Sequence, residues 1–320
     1  CSSDLKNMKY LVIGAGGTGG CIGGFLAHGG QDVTLIARGE HLKAIQENGL
    51  HLMSSKLGNN MIKINACDAD SYNDTPDVVF VCVKSYDLES IVPLIKRVCT
   101  EKTIIVPILN VLSAGEMLRD KTGFDVLDGC VYVVAHIESP GTVIQEGPLF
   151  RVVLGQKNNE NSVEIYNMAK ELEACKIRCI VSENIKRDCL RKFSMVSPLA
   201  AAESFYDCSA GGLKEGQRLS MFKNCVREVM EMAAHMGYIL PEDTIEKNVK
   251  SLMMLDDNSY ASTVRDLNAG KKSETNHIIF DVARYGREHK LNFANYYMVS
   301  GNLGFAFDSA PEYDLSLFKS

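Results

Sequence analysis

The residues best spaced for chemistry stand near the start of the chain, where Gly14-Ala15-Gly16-Gly17-Thr18-Gly19 has the spacing GxGxxG. In that spacing each glycine has its own task. Gly14 allows a tight turn, Gly16 lets the backbone approach a pyrophosphate, and Gly19 lets a helix pack closely on a strand. The helix that opens there supplies N–H groups and the positive end of its dipole, both suited to an anion. A glycine-rich turn with no ligand could carry the same letters, so the neighbouring elements decide. The apolar run 9–13 precedes the loop, a helical stretch to about His28 follows it, and a second apolar run, Val33–Ala37, closes a βαβ unit. That order is the one a dinucleotide site requires.

Arg38 ends the second run, with Gly39 next. An NAD site usually places an acidic residue about 20 residues beyond the motif, on the ribose 2′-hydroxyl. A guanidinium suits a 2′-phosphate instead, by charge and by its planar fork of donors, so the expected cofactor is NADPH/NADP+. The competing reading of Arg38 is a solvated surface arginine. Asn110 and Lys84 each follow an apolar run, 103–109 and 78–83, at the strand ends where open α/β sheets bind ligands. Lys192 lies in the largely apolar stretch Cys189–Ala202, as a lysine bordering a cleft or one snorkelling to solvent. Glu274 lies at a helix start, Ser273-Glu274-Thr275-Asn276, where the dipole alone would favour an acid.

The elements that must hold these residues change character along the chain. Apolar runs at 9–13, 33–37, 78–83, 103–109, 131–135 and 151–155 alternate with amphipathic stretches such as Leu88, Ile91, Leu94, Ile95 and Val98. The pattern predicts an α/β Rossmann domain with a mostly parallel, doubly wound sheet over 8–183. From Lys186 onward helical spacing takes over: Leu219, Phe222, Val226, Val229 and Ala233 step by three and four, and Gly237 closes that helix. Further helices are predicted over 242–254, 259–268 and 274–289, giving an all-α substrate domain over 184–320. The polar segment Cys1–Asn7 precedes Met8, which reads as a start.

Composition narrows the function classes. With 34 Lys+Arg against 40 Asp+Glu the net charge is −6, which argues against a broad nucleic-acid or anionic-membrane surface. The 11 cysteines are odd in number and scattered, with no CxxC pair; Cys175 and Cys179 have no histidine nearby. They read as free thiols in a reducing compartment, with no metal site. No secretory signal and no membrane-spanning apolar run is read, so the cytoplasm is the expected compartment.

Taken in order, the loop Gly14–Gly19, Ile36-Ala37-Arg38-Gly39, Cys82-Val83-Lys84, Leu109-Asn110, the stretch 135–141, Leu190-Arg191-Lys192-Phe193, and Ser262 followed by Glu274 resemble the ketopantoate reductase (2-dehydropantoate 2-reductase) family. The resemblance covers nearly the whole chain from Met8. It implies reduction of a 2-oxo acid to a 2-hydroxy acid with NADPH, Lys192 being the general acid. It further implies Glu274 against the substrate hydroxyl, Ser262 and Ser259 on the substrate, and Asn110 near the nicotinamide and the reacting carbonyl. Lys84 falls on the cofactor side, beside Gly14, Ala15, Gly16, Gly17, Thr18, Gly19 and Arg38. A homodimer is a reasonable expectation for a helical domain of this kind.

Some positions depart from the family pattern. Val111 replaces a glycine common after the strand-end asparagine, while Val196 and Ser259 stand where family asparagines would contact substrate. Lost amide partners should alter how a ketopantoate hydroxyl is held. Ketopantoate is therefore the leading expectation, another small oxo acid the second, and a non-catalytic NADP-binding sensor or scaffold the third.

Overall fold

The computed structural model describes residues 8–306, so Cys1–Asn7 fall outside the described residues. The chain divides into two compact units between Lys192 and Phe193. That division falls inside a helix, later than the expected 183, because the first turns of this helix pack Ile185 and Cys189 against Cys130 and Val153.

The first unit opens with β1 (Lys9–Ile13), α1 (Gly17–His28), β2 (Asp32–Ile36) and α2 (Gly39–Asn48), then β3 (Leu50–Ser54), β4 (Gly58–Ile62) and β5 (Asn65–Cys67). It continues with β6 (Val78–Val81), α3 (Leu88–Val98), β7 (Ile104–Pro107) and α4 (Ala114–Thr122), and closes with β8 (Asp128–Ser139), β9 (Thr142–Gly155), α5 (Val163–Ala174) and β10 (Arg178–Val181). One sheet has the order β5-β2-β1-β6-β7 and is parallel throughout. Both faces of its centre are covered: Leu11, Val12, Val79 and Phe80 are fully buried. This is why its strands read as unbroken apolar runs. The chain leaves β1 toward β2 on one side and reaches β6 on the other, which opens a crevice at the strand ends.

A second, mixed sheet has the order β10-β9-β3-β4, with β8 antiparallel to β9. The apolar runs 131–135 and 151–155 belong here, paired through Val131 with Val152 and Tyr132 with Arg151, and not in the parallel sheet. The long hairpin turns at Gly141, whose φ is +80°. Its middle, Gln145-Glu146-Gly147-Pro148, is polar enough to hide the strand from a hydrophobic count. The buried Gln145 amide is satisfied by Ser54 Oγ, which donates at 2.7 Å, and by the carbonyls of Glu146 and Gly147. Helix α1 lies against both sheets. A Cβ on Gly17 would meet the Ala135 carbonyl oxygen at 2.5 Å, one on Gly20 the Val143 side chain at 2.8 Å, and one on Gly23 the Leu35 side chain.

The second unit carries α6 (Ile185–Tyr206) onward from Phe193, then α7 (Gly216–His235), α8 (Thr244–Met254), α9 (Ser262–Asn268), α10 (Asp281–Glu288) and α11 (Ala294–Asn302). Among its described residues there is no strand. Its core gathers Ala202, Leu213, Phe222, Val226 and Leu252. Pro198 lies inside α6 and cannot donate to the carbonyl of Ser194. Asn248 of α8 replaces the missing donor, its Nδ2 reaching the Ser194 carbonyl at 2.8 Å and the Ser194 hydroxyl at 3.0 Å.

Candidate active site

The glycine loop stands at the C-terminal end of β1. Gly14 has φ +98°, and its N–H and that of Ala15 both donate to the Ile36 carbonyl at 3.1 Å, closing the turn onto β2. A Cβ on Gly14 would press the Cys82 backbone at 3.0 Å, and one on Gly19 would run into the Gly14 carbonyl. Gly16 differs: a Cβ there would meet nothing within 4 Å, so its outer face is open. It is the N-cap of α1, with no side-chain cap and no acidic residue in the first turn. A helix N-terminus with an open, uncapped N-cap residue fits a bound pyrophosphate.

Arg38 is the N-cap residue of α2, at the end of β2, with 87% of its side chain exposed. Its Nη2 donates to Asp87 Oδ2 at 3.1 Å, so the guanidinium is steadied from the turn that follows β6. Lys84 is the N-cap of that turn, Ser85–Asp87, beyond the end of β6.

Lys192 takes its place from the start of α6. Asn184 Oδ1 accepts from the Arg187 N–H at 3.1 Å, and Ser182 Oγ donates to Asp188 Oδ2 at 2.6 Å while accepting from the Asn184 N–H at 3.0 Å. This cap fixes the register of the helix two turns ahead of Lys192. The Lys192 Nζ then donates to Asn110 Oδ1 at 2.6 Å, and the structure thereby joins two residues 82 positions apart. The same ammonium stands 5.8 Å from the centre of the Tyr132 ring, over which the Arg151 guanidinium also lies at 4.2 Å. Burial pushes the Tyr132 phenol up to about 12. The Cys130 thiol is held below its ordinary value, chiefly by its hydrogen bond with Cys189 and also by the Lys192 charge.

In the second unit, Ser262 is the first residue of α9 and half-buried. The Ser259 hydroxyl is engaged locally, donating to the Asp256 carbonyl at 2.7 Å, and its own carbonyl accepts from the Ala210 N–H at 2.9 Å. Glu274 is 4% exposed, and its carbonyl accepts from the N–H groups of His277 and Ile278. A π-turn, Asn276–Phe280, begins two residues later, and within it the Ile278 carbonyl accepts from the Ser197 hydroxyl at 2.5 Å. Such widened turns recur at functional sites.

Two residues escaped the sequence reading. Glu203, on α6, is fully buried; its Oε2 accepts from the Ala261 N–H at 2.8 Å and its Oε1 has no protein partner. Ala261 immediately precedes Ser262, so this carboxyl holds the entry to α9. His41, on α2, reaches the glycine loop itself. A lone acid and a lone histidine on helices give no spacing signal, and only the fold reveals their partners.

Residues 10–159 match the family described as ketopantoate reductase PanE/ApbA, and residues 184–305 match its C-terminal domain. An uncharacterized oxidoreductase of Bacillus subtilis is 24% identical over 85% of this chain and 89% of its own length. A 2-dehydropantoate 2-reductase of Pyrococcus horikoshii is 27% identical over 89% of this chain and 94% of its own. Among solved structures, a PanE/ApbA family ketopantoate reductase from Ralstonia eutropha superposes with TM-score 0.84 at 24% identity, covering 93% of this chain and 97% of that one. A D-mandelate dehydrogenase, solved with NADH and anilino(oxo)acetate, gives TM-score 0.84 at 20% identity over 93% of this chain and 97% of its own. Among the described residues no helix is long and apolar enough to cross a membrane.

Glu203 supplies a pH test. Burial raises its carboxyl from 4.5 to about 7, against the Ala261 N–H and the nearby Arg265 charge, which both pull it down. Because the folded value is the higher, the stabilising contribution is complete below about pH 4.5 and is lost as pH rises through 7. Glu203→Gln keeps an acceptor for Ala261 and does not ionise. The unfolding free energy of Glu203→Gln relative to wild type should therefore rise by roughly 2 kcal/mol between pH 5 and pH 8. Urea unfolding at the two pH values measures this, and a gap that does not change with pH counts against a buried, titrating carboxyl.

Proposed function

The chain belongs to the ketopantoate reductase family, and we propose that it reduces 2-dehydropantoate (ketopantoate) to pantoate with NADPH. As a member it is an oxidoreductase acting on CH–OH groups and reduces a 2-oxo acid. The observation that carries the reduction chemistry is the hydrogen bond from Lys192 to Asn110, which holds a proton donor beside the end of β7 in the sheet that also carries the glycine loop, while the likeness to 2-dehydropantoate 2-reductases supports the choice of acid.

When bound, the dihydronicotinamide supplies a hydride to the substrate's carbonyl carbon. The protein must then stabilise and protonate the oxygen. Lys192 Nζ serves as electrostatic partner of the developing alkoxide and as the donor of its proton. Asn110 accepts from that ammonium and so orients it. Ser262 contributes a hydroxyl for the substrate carboxylate, and Glu274 an acceptor for the substrate hydroxyl. On the cofactor side, the glycine loop and the start of α1 would hold the pyrophosphate and Arg38 the 2′-phosphate, with Lys84 on the same side. The overall change takes up one hydride and one proton per 2-oxo acid and releases a 2-hydroxy acid and NADP+.

A second reading, reduction of a different small oxo acid, draws on specific observations. The Ser259 hydroxyl is engaged by Asp256, Val111 is 7% exposed, and Val196 offers a half-buried aliphatic group one helical turn beyond Lys192. None of these offers an amide to a substrate hydroxyl. NADPH oxidation with a panel of 2-oxo acids separates the readings: ketopantoate should turn over fastest, and preference for another acid replaces the name while keeping the reaction. Lys192→Ala should lower kcat by roughly 10²–10⁴-fold with NADPH affinity nearly intact, and unchanged turnover removes Lys192 from the chemistry. Arg38→Ala should weaken NADPH binding far more than NADH binding in paired titrations, and equal losses refute 2′-phosphate recognition.

A further inference from the structure

His41 is the third residue of α2, one turn into the helix that follows Arg38. Its ring bridges two backbone segments far apart in sequence. Nε2 lies 2.8 Å from the carbonyl oxygen of Ala15, inside the glycine loop. On the other edge, the Gly141 N–H donates to Nδ1 at 3.0 Å. These partners settle the tautomer: Nδ1 accepts, so the single ring proton is on Nε2 and is donated to Ala15. Burial holds the imidazole below its ordinary value of 6.5, which favours this neutral form.

Gly141 is itself a fixed point. It turns the β8–β9 hairpin with φ +80°, and its carbonyl accepts from the His51 N–H at 2.9 Å. A Cβ on it would press the Ala44 methyl at 2.9 Å. The second sheet thus presents a rigid N–H to one side of the His41 ring, and the ring transmits that position to Ala15.

Ala15 is then held at both ends, its N–H by Ile36 at 3.1 Å and its carbonyl by His41. The carbonyl of Ala15 and the N–H of Gly16 belong to one planar peptide. Fixing the direction of the first fixes the direction of the second, which points the opposite way. Gly16 is the residue whose outer face is open. We infer that His41 is a positioning residue for the phosphate cradle, setting the Ala15–Gly16 peptide plane so that the Gly16 N–H is presented to the cofactor's pyrophosphate. The inference rests on the reading of the glycine loop as the NADPH site.

The test uses the full chain and direct binding. His41→Phe keeps a ring of similar bulk and loses both hydrogen bonds. His41→Ala loses ring and bonds. His41→Gln restores one donor and one acceptor on a planar amide. NADPH affinity is read by fluorescence titration, with the melting temperature of each unliganded variant recorded beside it. The Phe and Ala variants should bind NADPH about tenfold more weakly, as expected for a lost, pre-oriented hydrogen-bond network. His41→Gln should recover most of that loss, while kcat at saturating NADPH changes little in all three. Should the Phe variant fail to fold, the Ala and Gln pair decides alone. Wild-type protein that binds no NADPH overturns the cofactor reading and this inference with it. Wild-type binding matched by the Phe and Ala variants, or a Gln variant no better than Ala, overturns this inference only.

Discussion

The structure depends on one close approach, the packing of the Gly14 backbone against Cys82 where β1 and β6 end side by side. No side chain can intervene: a Cβ on Gly14 would reach the Cys82 carbonyl group at 3.0 Å. That approach brings the start of α1 down onto the sheet and leaves the outer face of its N-cap, Gly16, open. The further glycines of α1 continue the same constraint, because Ala135, Val143 and Leu35 press against the helix where side chains would stand. A helix this poor in side-chain volume gains little from its own propensity. It is held by burial of Cys21, Ile22, Phe25 and Leu26 between two sheets.

Lys192 is placed by a different kind of constraint. Its helix begins in the first unit, capped by Asn184 and locked by Ser182 and Asp188. Register on a capped helix is not free to slip, so the position of Lys192 follows from where the cap sits. The 2.6 Å bond to Asn110 then fixes the side chain. Near it, the Arg151 guanidinium on the Tyr132 face adds positive charge to the same region, which favours an anionic substrate.

The parallel sheet was legible because its central strands are buried on both faces, so Leu11-Val12-Ile13 and Val78–Val81 read as continuous apolar runs. The C-terminal helices were legible for a similar reason, their apolar residues recurring at three and four. The second sheet was legible only in the apolar runs 131–135 and 151–155. β9 carries Gln145, Glu146 and Pro148 in its middle, and β3–β4 is a half-exposed hairpin whose alternation is broken by Asn59 and Asn60. The parallel pairing of β3 with β9, His51 opposite Thr142, joins partners distant in sequence, and no local window holds that information. The glycine loop and Arg38 were legible through their place in a βαβ unit. Glu203 and His41 were not, since each acts on a backbone group of another element, Ala261 in one case and Ala15 in the other.

The second unit uses its buried polar side chains mainly to satisfy its own backbone. Asn248 answers the proline in α6, and Glu203 holds Ala261. Glu228 accepts from the N–H groups of Asn295 and Tyr296 at the start of α11. A buried polar group already engaged this way cannot turn to a ligand without leaving a backbone donor or acceptor unmet, at a cost of about 1–3 kcal/mol. Discrimination among oxo acids must then come from side chains the fold does not need, and the Ser259 hydroxyl, bonded to Asp256, is not one of them. On the proposed function, an aliphatic Val196 would favour substrates by shape more than by hydroxyl pattern, since an apolar wall separates neighbouring substrates by only about 10–200-fold per methylene. The reaction is therefore specified more tightly by this fold than the identity of the acid it reduces.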